Sequence, residues 1–206
     1  MKASKRAPSE RSKLRRAQVL DAARHCFARV GFHSTSMAQI AAQAQMSVGQ
    51  IYRHFKSKES LIEGIVQADI AQQLSFLEGP PAQRLLDALA AGPTELHATG
   101  LSDTAYLALM LEIVAEAARN PKVREIVISS QRRGHLAIKK RIEQETPGVW
   151  PPGELDLRLR LIGALSQGVA TQMLLDRRAP SAALLAHVRR LAKRLLTFEG
   201  GSGTSA

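Results

Sequence analysis

The chain has 206 residues, 45 % of them hydrophobic, which is enough for a packed core and excludes a disordered chain. Its net charge of +11 is uneven: residues 1–60 hold 12 Lys or Arg against 3 acids, a net +9, while the other 146 hold 17 against 15. That excess points the N-terminal quarter at a polyanion, nucleic acid first and an anionic membrane second. The lone Cys26 excludes an internal disulfide and fits a reducing compartment.

In chain order, residues 1–11 read as a polar, basic arm with no apolar run behind it, so not as a signal peptide. A helix follows over about 12–30. Ala17, Leu20, Ala23, Phe27 and Val30 give it one apolar stripe, and Gly31 stops it. Cys26 falls within this pattern and reads as a small buried thiol. Ser36 suits the N-cap of a short helix over 37–44, and Ser47 that of a second over 47–55. Between them Gln45 stands where a tight turn needs positive φ, at a cost of ~1 kcal/mol for a non-glycine residue. A fourth helix runs from Ser57 to about Leu77 and ends at Gly79-Pro80-Pro81. Further helices are expected near 82–91, 102–119, 121–145, 154–178 and 181–198, parted by Gly92-Pro93, Asn120-Pro121, Pro147–Gly153 and Pro180. The tail from 199 to 206 is flexible by composition. No stretch keeps a period of two, so the expected fold class is all-α, and no internal repeat is found. The most apolar helix, AYLALMLEIVAEAA, is broken by Glu112 and Glu116 and too short to span a bilayer, so the expected location is cytoplasmic.

Two short helices joined by a tight turn, with Ile40, Ala44, Met46 and Ile51 as the seam, Ala41 allowing a close crossing and Phe27 and Phe55 as anchors, describe a helix-turn-helix. Its second helix then faces a DNA major groove. Ser47, Val48, Gly49 and Gln50 lie on the first turn of that helix. Gly49 lets the backbone approach closely, and Gln50 can pair bidentately with adenine. Ser36, with its helix N-terminus, suits a phosphate, as do Tyr52, His54 and Lys58. Such contacts position more than they specify. Plainer alternatives stand beside these: Tyr52 as packing, His54 as a solvated group, Gln50 as a helix former. Arg53 is read as facing solvent or an acid.

The run VLDAARHCFARVGFHSTSMAQIAAQAQMSVGQIYRHFKSKESL resembles the N-terminal signature of the TetR family of bacterial transcriptional regulators over about Val19–Ile62. The resemblance implies a three-helix DNA-binding domain, a linking helix, and a larger helical ligand-binding and dimerisation domain. It also implies phosphate contacts at the positions of Tyr52, His54 and Lys58, and a glycine where Gln45 stands. The division expected is an arm plus helix-turn-helix over 1–56, a linking helix and ligand-binding domain over 57–198, and the tail.

In the second domain, Leu155, Leu159, Ile162, Val169 and Met173 form one stripe of the 154–178 helix, and Leu157, Leu161, Leu165 and Gln172 a second. The last helix repeats this, with Leu184, Val188, Leu191 and Leu195 on one line and Leu185, Ala192 and Leu196 on the next. Two stripes suit one face for the core and one for a partner. The resemblance implies a homodimer through a four-helix bundle of these two helices. Candidate pocket residues for a small-molecule effector are Tyr106, Met110, His135, Trp150 and Met173. Glu112 and Glu116 share one face and suit a cationic effector, or else an ion pair with Arg119 or a nearby helix, or plain solvation. No catalytic constellation, metal-spaced His or Cys cluster or phosphate-binding glycine loop is found, so no enzyme and no cofactor are expected. The partners expected are an operator in double-stranded DNA, an effector and a second copy of the chain, with no membrane. The function expected is a ligand-relieved repressor.

Overall fold

A computed structural model describes residues 9–78, 101, 103–146, 148–175 and 182–196. The expected helix over 82–91, the breaks at Gly79–Pro81 and Gly92–Pro93, the first residues of the arm and the tail lie outside the described residues, as do the side chains of Met173 and Leu185. Among the described residues there are eight α-helices and no strand: α1 Glu10–Ser34, α2 Met37–Gln43, α3 Val48–His54, α4 Lys58–Glu78, α5 Asp103–Arg119, α6 Pro121–Glu145, α7 Glu154–Leu175 and α8 Ala182–Leu196. No helix among them is long and apolar enough to cross a membrane.

Local chemistry fixes the helix ends. Ser9 caps α1 by accepting from the Ser12 N–H. Gly31, at φ 81 and ψ 167, breaks α1 before its last turn, a conformation open essentially to glycine alone. Ser36 and Gln39 form a capping box on α2, and Ser47 and Gln50 form another on α3. Ser57 and Ser60 exchange side-chain-to-backbone hydrogen bonds at the start of α4. Asn120 accepts from the N–H groups of Lys122 and Val123, which opens α6 as Pro121 removes a donor. Gln45 holds φ 52, the one positive φ at a non-glycine residue among those described.

Packing divides the described residues into two compact units: those up to 65 with those from 101 to 124, and those from 66 to 78 with those from 125 to 196. In the first, α1 packs against α2 and α5, and α2 against α3. The buried positions of α1 are Val19, Leu20, Ala22, Ala23, Cys26, Phe27 and Phe32. The expected stripe therefore drifts at both ends: Ala17 and Val30 are exposed, because α2 and α5 approach a face turned toward Val19 and Cys26. Burial pushes the Cys26 thiol above its ordinary range and keeps it inert. Ile40, Ala41, Ala44, Ile51 and Phe55 are buried as the helix-turn-helix pattern requires, with Met46 half-buried. The packing draws its line away from the sequence division at 56/57, since the start of α4 and all of α5 join the N-terminal helices.

In the second unit Ile142, Leu155, Leu159, Ile162, Ala192 and Leu196 form the core, with Leu74 and Trp150 against it. His135 bonds Asp156 at 2.6 Å and, with Arg160, holds its carboxyl below the ordinary carboxylate range. Arg158 bonds Glu154 and the Leu195 carbonyl and lies over the Trp150 ring. Leu157 and Leu161 of α7, and Leu184 and Leu191 of α8, are exposed. Members of the second stripe of α7 and of the first line of α8 are thus left open to solvent, while Ala192 and Leu196 of the other α8 line are buried.

Candidate nucleic-acid interface

The short helix α3 is held from behind and open in front. Ile51 is fully buried and Phe55, its C-cap, nearly so, which anchors the inner face. Val48, Gly49, Gln50, Tyr52 and Arg53 all lie exposed on the other side, with Ser47 at its start. A Cβ built on Gly49 would meet no atom within 4 Å, so the fold itself does not need a glycine there. A backbone brought close to an outside surface would need one.

The turn before α3 is clamped by a residue that the sequence reading overlooked. The Gln18 amide donates to the Ala44 carbonyl at 2.8 Å, tying the middle of α1 to the end of α2. The Met46 N–H donates to the Ala41 carbonyl at 2.9 Å, closing the turn that Gln45 makes possible. A second overlooked residue is Gly64, where a Cβ would come within 2.7 Å of Leu20 Cδ2 and 2.9 Å of Phe55 Cε1. It lets α4 press against α1 and the end of α3. Neither residue carries a motif, because the partners lie far away in sequence.

The site residues named from sequence fall into two groups. Ser47, Val48, Gly49, Gln50 and Tyr52 share the open face of α3, and His54 sits half-buried at its end. Ser36 is exposed at the start of α2, its hydroxyl engaged with Gln39. Gln50 has local work as well: its Oε1 accepts from the Ser47 N–H at 2.8 Å. To read adenine bidentately it must give up that bond, so base reading and helix capping compete for one side chain.

Lys58, expected at a phosphate, is engaged within the fold. Its Nζ donates to the Phe32 carbonyl at 2.6 Å and the His33 carbonyl at 3.2 Å, and lies 4.6 Å from the centre of the Phe32 ring. The carbonyls freed where Gly31 breaks α1 are a natural seat for an ammonium. Lys58→Met is expected to lower stability by ~1 kcal/mol, a Tm shift of ~2–4 °C at this chain length. The slope of log affinity for DNA against log salt should stay as in the native chain. An unchanged Tm with a slope smaller by about one would return Lys58 to the phosphate contacts.

The candidate effector residues are distributed differently. Tyr106 is buried in the first unit and Met110 is half-buried there. Glu112 and Glu116 are not presented to a cation. Glu112 accepts from the Phe32 N–H at 2.7 Å, and Glu116, 2 % exposed, pairs with His33, Arg119 and Asn120. The broken end of α1 supplies donors to both carboxylates, a backbone N–H for Glu112 and the His33 ring for Glu116, and Glu116 also has the Arg119 pairing weighed from the sequence. His135 is held by Asp156, and the Trp150 N–H donates to Thr146 Oγ1, both in the second unit. Met173 lies outside the described side chains. Among the described residues no group of three or more His, Cys, Asp or Glu is arranged to hold a metal ion.

Residues 19–65 match the family model for bacterial regulatory proteins of the tetR family, and residues 82–197 match that for the C-terminal region of BetI-type transcriptional repressors. The chain is 29 % identical to the HTH-type transcriptional regulator UidR of Escherichia coli K12, over 88 % of this chain and 93 % of that one. It is 30 % identical to the HTH-type transcriptional regulator BetI of Klebsiella pneumoniae, over 58 % and 64 %. The solved structure of Salmonella enterica GusR superposes with a TM-score of 0.68 at 29 % identity, covering 91 % of this chain and 97 % of that one.

Proposed function

The chain belongs to the tetR family of bacterial transcriptional regulators, DNA-binding proteins rather than enzymes, and we propose that it is a homodimeric repressor released from a two-fold symmetric operator by a small-molecule effector. The observation that carries this reading is the open face of α3. A seven-residue helix with its inner side locked into a core presents Val48, Gly49, Gln50 and Tyr52 outward, in the part of the chain that holds the +9 excess. A groove-reading helix needs this combination of rigid backing and polar front. Dimerisation is supported by the exposed leucines of α7 and α8, and a symmetric dimer asks for a symmetric site. The effector is read as an apolar molecule, because Glu112 and Glu116 are engaged by the end of α1.

The test is selection of bound fragments from random and genomic duplexes, followed by titration of selected against scrambled DNA at several salt concentrations. The expected outcome is a palindromic motif whose affinity falls steeply with salt, by ~0.9 log units per log unit of salt for each phosphate neutralised. Equal affinity for selected and scrambled duplexes would overturn the reading. Retention of DNA affinity with every compound that shifts the melting temperature would overturn the effector clause alone.

A further inference from the structure

Helix α5 belongs to two things at once. It lies within the region matched by the C-terminal repressor model, yet it packs with the helix-turn-helix helices as part of the first unit. Apolar contacts account for much of that packing, with Leu107, Leu109 and Ile113 buried. The polar contacts are more specific. Gly31 turns the backbone at φ 81, which releases the Phe32 N–H from the ladder of α1, and Glu112 Oε1 receives it at 2.7 Å. A Cβ on Gly31 would stand 3.1 Å from that same oxygen. One turn further along α5, Glu116 Oε2 meets His33 Nε2 at 2.8 Å. On the other side, Lys58 of α4 holds the Phe32 and His33 carbonyls. The two residues after Gly31 are thus gripped by α5 through one N–H and one side chain, and by α4 through two carbonyls.

Such a grip does more than add contact area. A smooth apolar face tolerates a small slide, whereas a hydrogen bond weakens steeply as its distance and angle change. A carboxylate buried as deeply as Glu116 is costly unless its partners stay in place. An axial displacement of α5 must therefore carry the Gly31–His33 corner with it or break these bonds. From that corner α1 runs back to Gln18, whose amide holds the Ala44 carbonyl beside the turn that aims α3. We propose that Glu112 and Glu116 are positioning residues that couple α5 to the pose of α3, through Phe32 and His33, α1 and Gln18. The inference rests on the operator-binding reading above and names the residues through which effector and operator oppose each other.

The test needs no effector, because coupling is reciprocal and DNA itself serves as the probe. Hydrogen exchange of the full chain is followed with and without a selected operator duplex. In the native chain the duplex is expected to slow exchange over 37–54 and, about fivefold or more, over 103–119. Glu112→Leu removes the acceptor, so DNA should still protect 37–54 but no longer 103–119. Glu112→Gln keeps an oxygen for the Phe32 N–H and should restore the effect. His33→Ala alters a side chain that is 66 % exposed, leaves Glu116 its Arg119 and Asn120 partners, and should give a partial loss. If the variants speed exchange over 103–119 but leave its DNA-dependent ratio as in the native chain, the glutamates are structural and the proposal is wrong. It is equally wrong if DNA protects 37–54 of the native chain and not 103–119. Failure of any duplex to protect 37–54 would instead overturn operator binding, and the coupling with it.

Discussion

Gly64→Ala is expected to lower the melting temperature, although alanine is the best helix former and the position is mid-helix. By propensity alone the change would gain ~1 kcal/mol. The added methyl group, however, would stand 2.7 Å from Leu20 Cδ2 and 2.9 Å from Phe55 Cε1, separations that force neighbours to move. Leu20 and Phe55 are 3 % and 2 % exposed, so both neighbours lie in the core rather than at a surface where they could swing into solvent. Overpacking a well-filled core costs ~1–3 kcal/mol. The clash therefore wins by up to ~2 kcal/mol, a fall in Tm of up to ~8 °C for a chain of this size, and Gly64→Val should fall further. Gly49→Ala is the matched control, since nothing lies within 4 Å of its Cβ. There the same substitution should leave the melting temperature level or slightly raised while weakening operator binding, if the backbone of α3 closes on DNA. Thermal melts of both variants decide the question, and a Gly64→Ala melt equal to or above that of the native chain would show that the α1–α4 contact yields easily.

The contrast between those two glycines also marks what the sequence could tell. Helix order and most ends were legible because their causes are local: Ser36, Ser47, Gly31 and the Asn120-Pro121 pair each act within a few residues of themselves. The positive φ at Gln45 was legible too, because so short a link between two capped helices leaves few other conformations. The open face of α3 followed from period and turn alone. Residues with distant partners were not legible. Glu112 and Phe32 lie 80 positions apart, and Gln18 and Ala44 lie 26 apart. Nothing in either local pattern names the other residue. Lys58 shows the same limit: a basic residue at a helix start suits a phosphate and suits freed carbonyls equally well, and only packing brings the carbonyls to it. The α1 stripe drifted for a related reason. Period identifies a face to within some tens of degrees, and the neighbours that bury it set the rest.

Replacing Leu161 and Leu191 together by glutamate is expected to give a folded monomer that binds the operator ~10²–10⁴-fold more weakly. Both side chains are close to half exposed, at 45 % and 47 %, while Leu159 and Ile162 of the same α7 and Ala192 of the same α8 are buried in the core. The substituted positions are thus outside the protomer's own core, and a charge there costs the single chain little. Across a helix-to-helix dimer face it costs far more, because a carboxylate without a partner must leave water. His187, Val188, Arg190, Leu191 and Arg194 line an apolar depression on α8, and glutamate at 191 would alter both its shape and its charge. Operator affinity should fall because two reading helices held by one dimer bind the second half-site at high effective concentration. A monomer loses that advantage, and the factor of ~10²–10⁴ is the usual size of it. Sedimentation velocity of native and doubly substituted chains, with operator titrations on the same samples, separates the possible results. A double variant that still sediments as a dimer would place the interface elsewhere. A monomer that keeps native operator affinity would mean that one α3 suffices and that the two-fold reading of the DNA site is wrong.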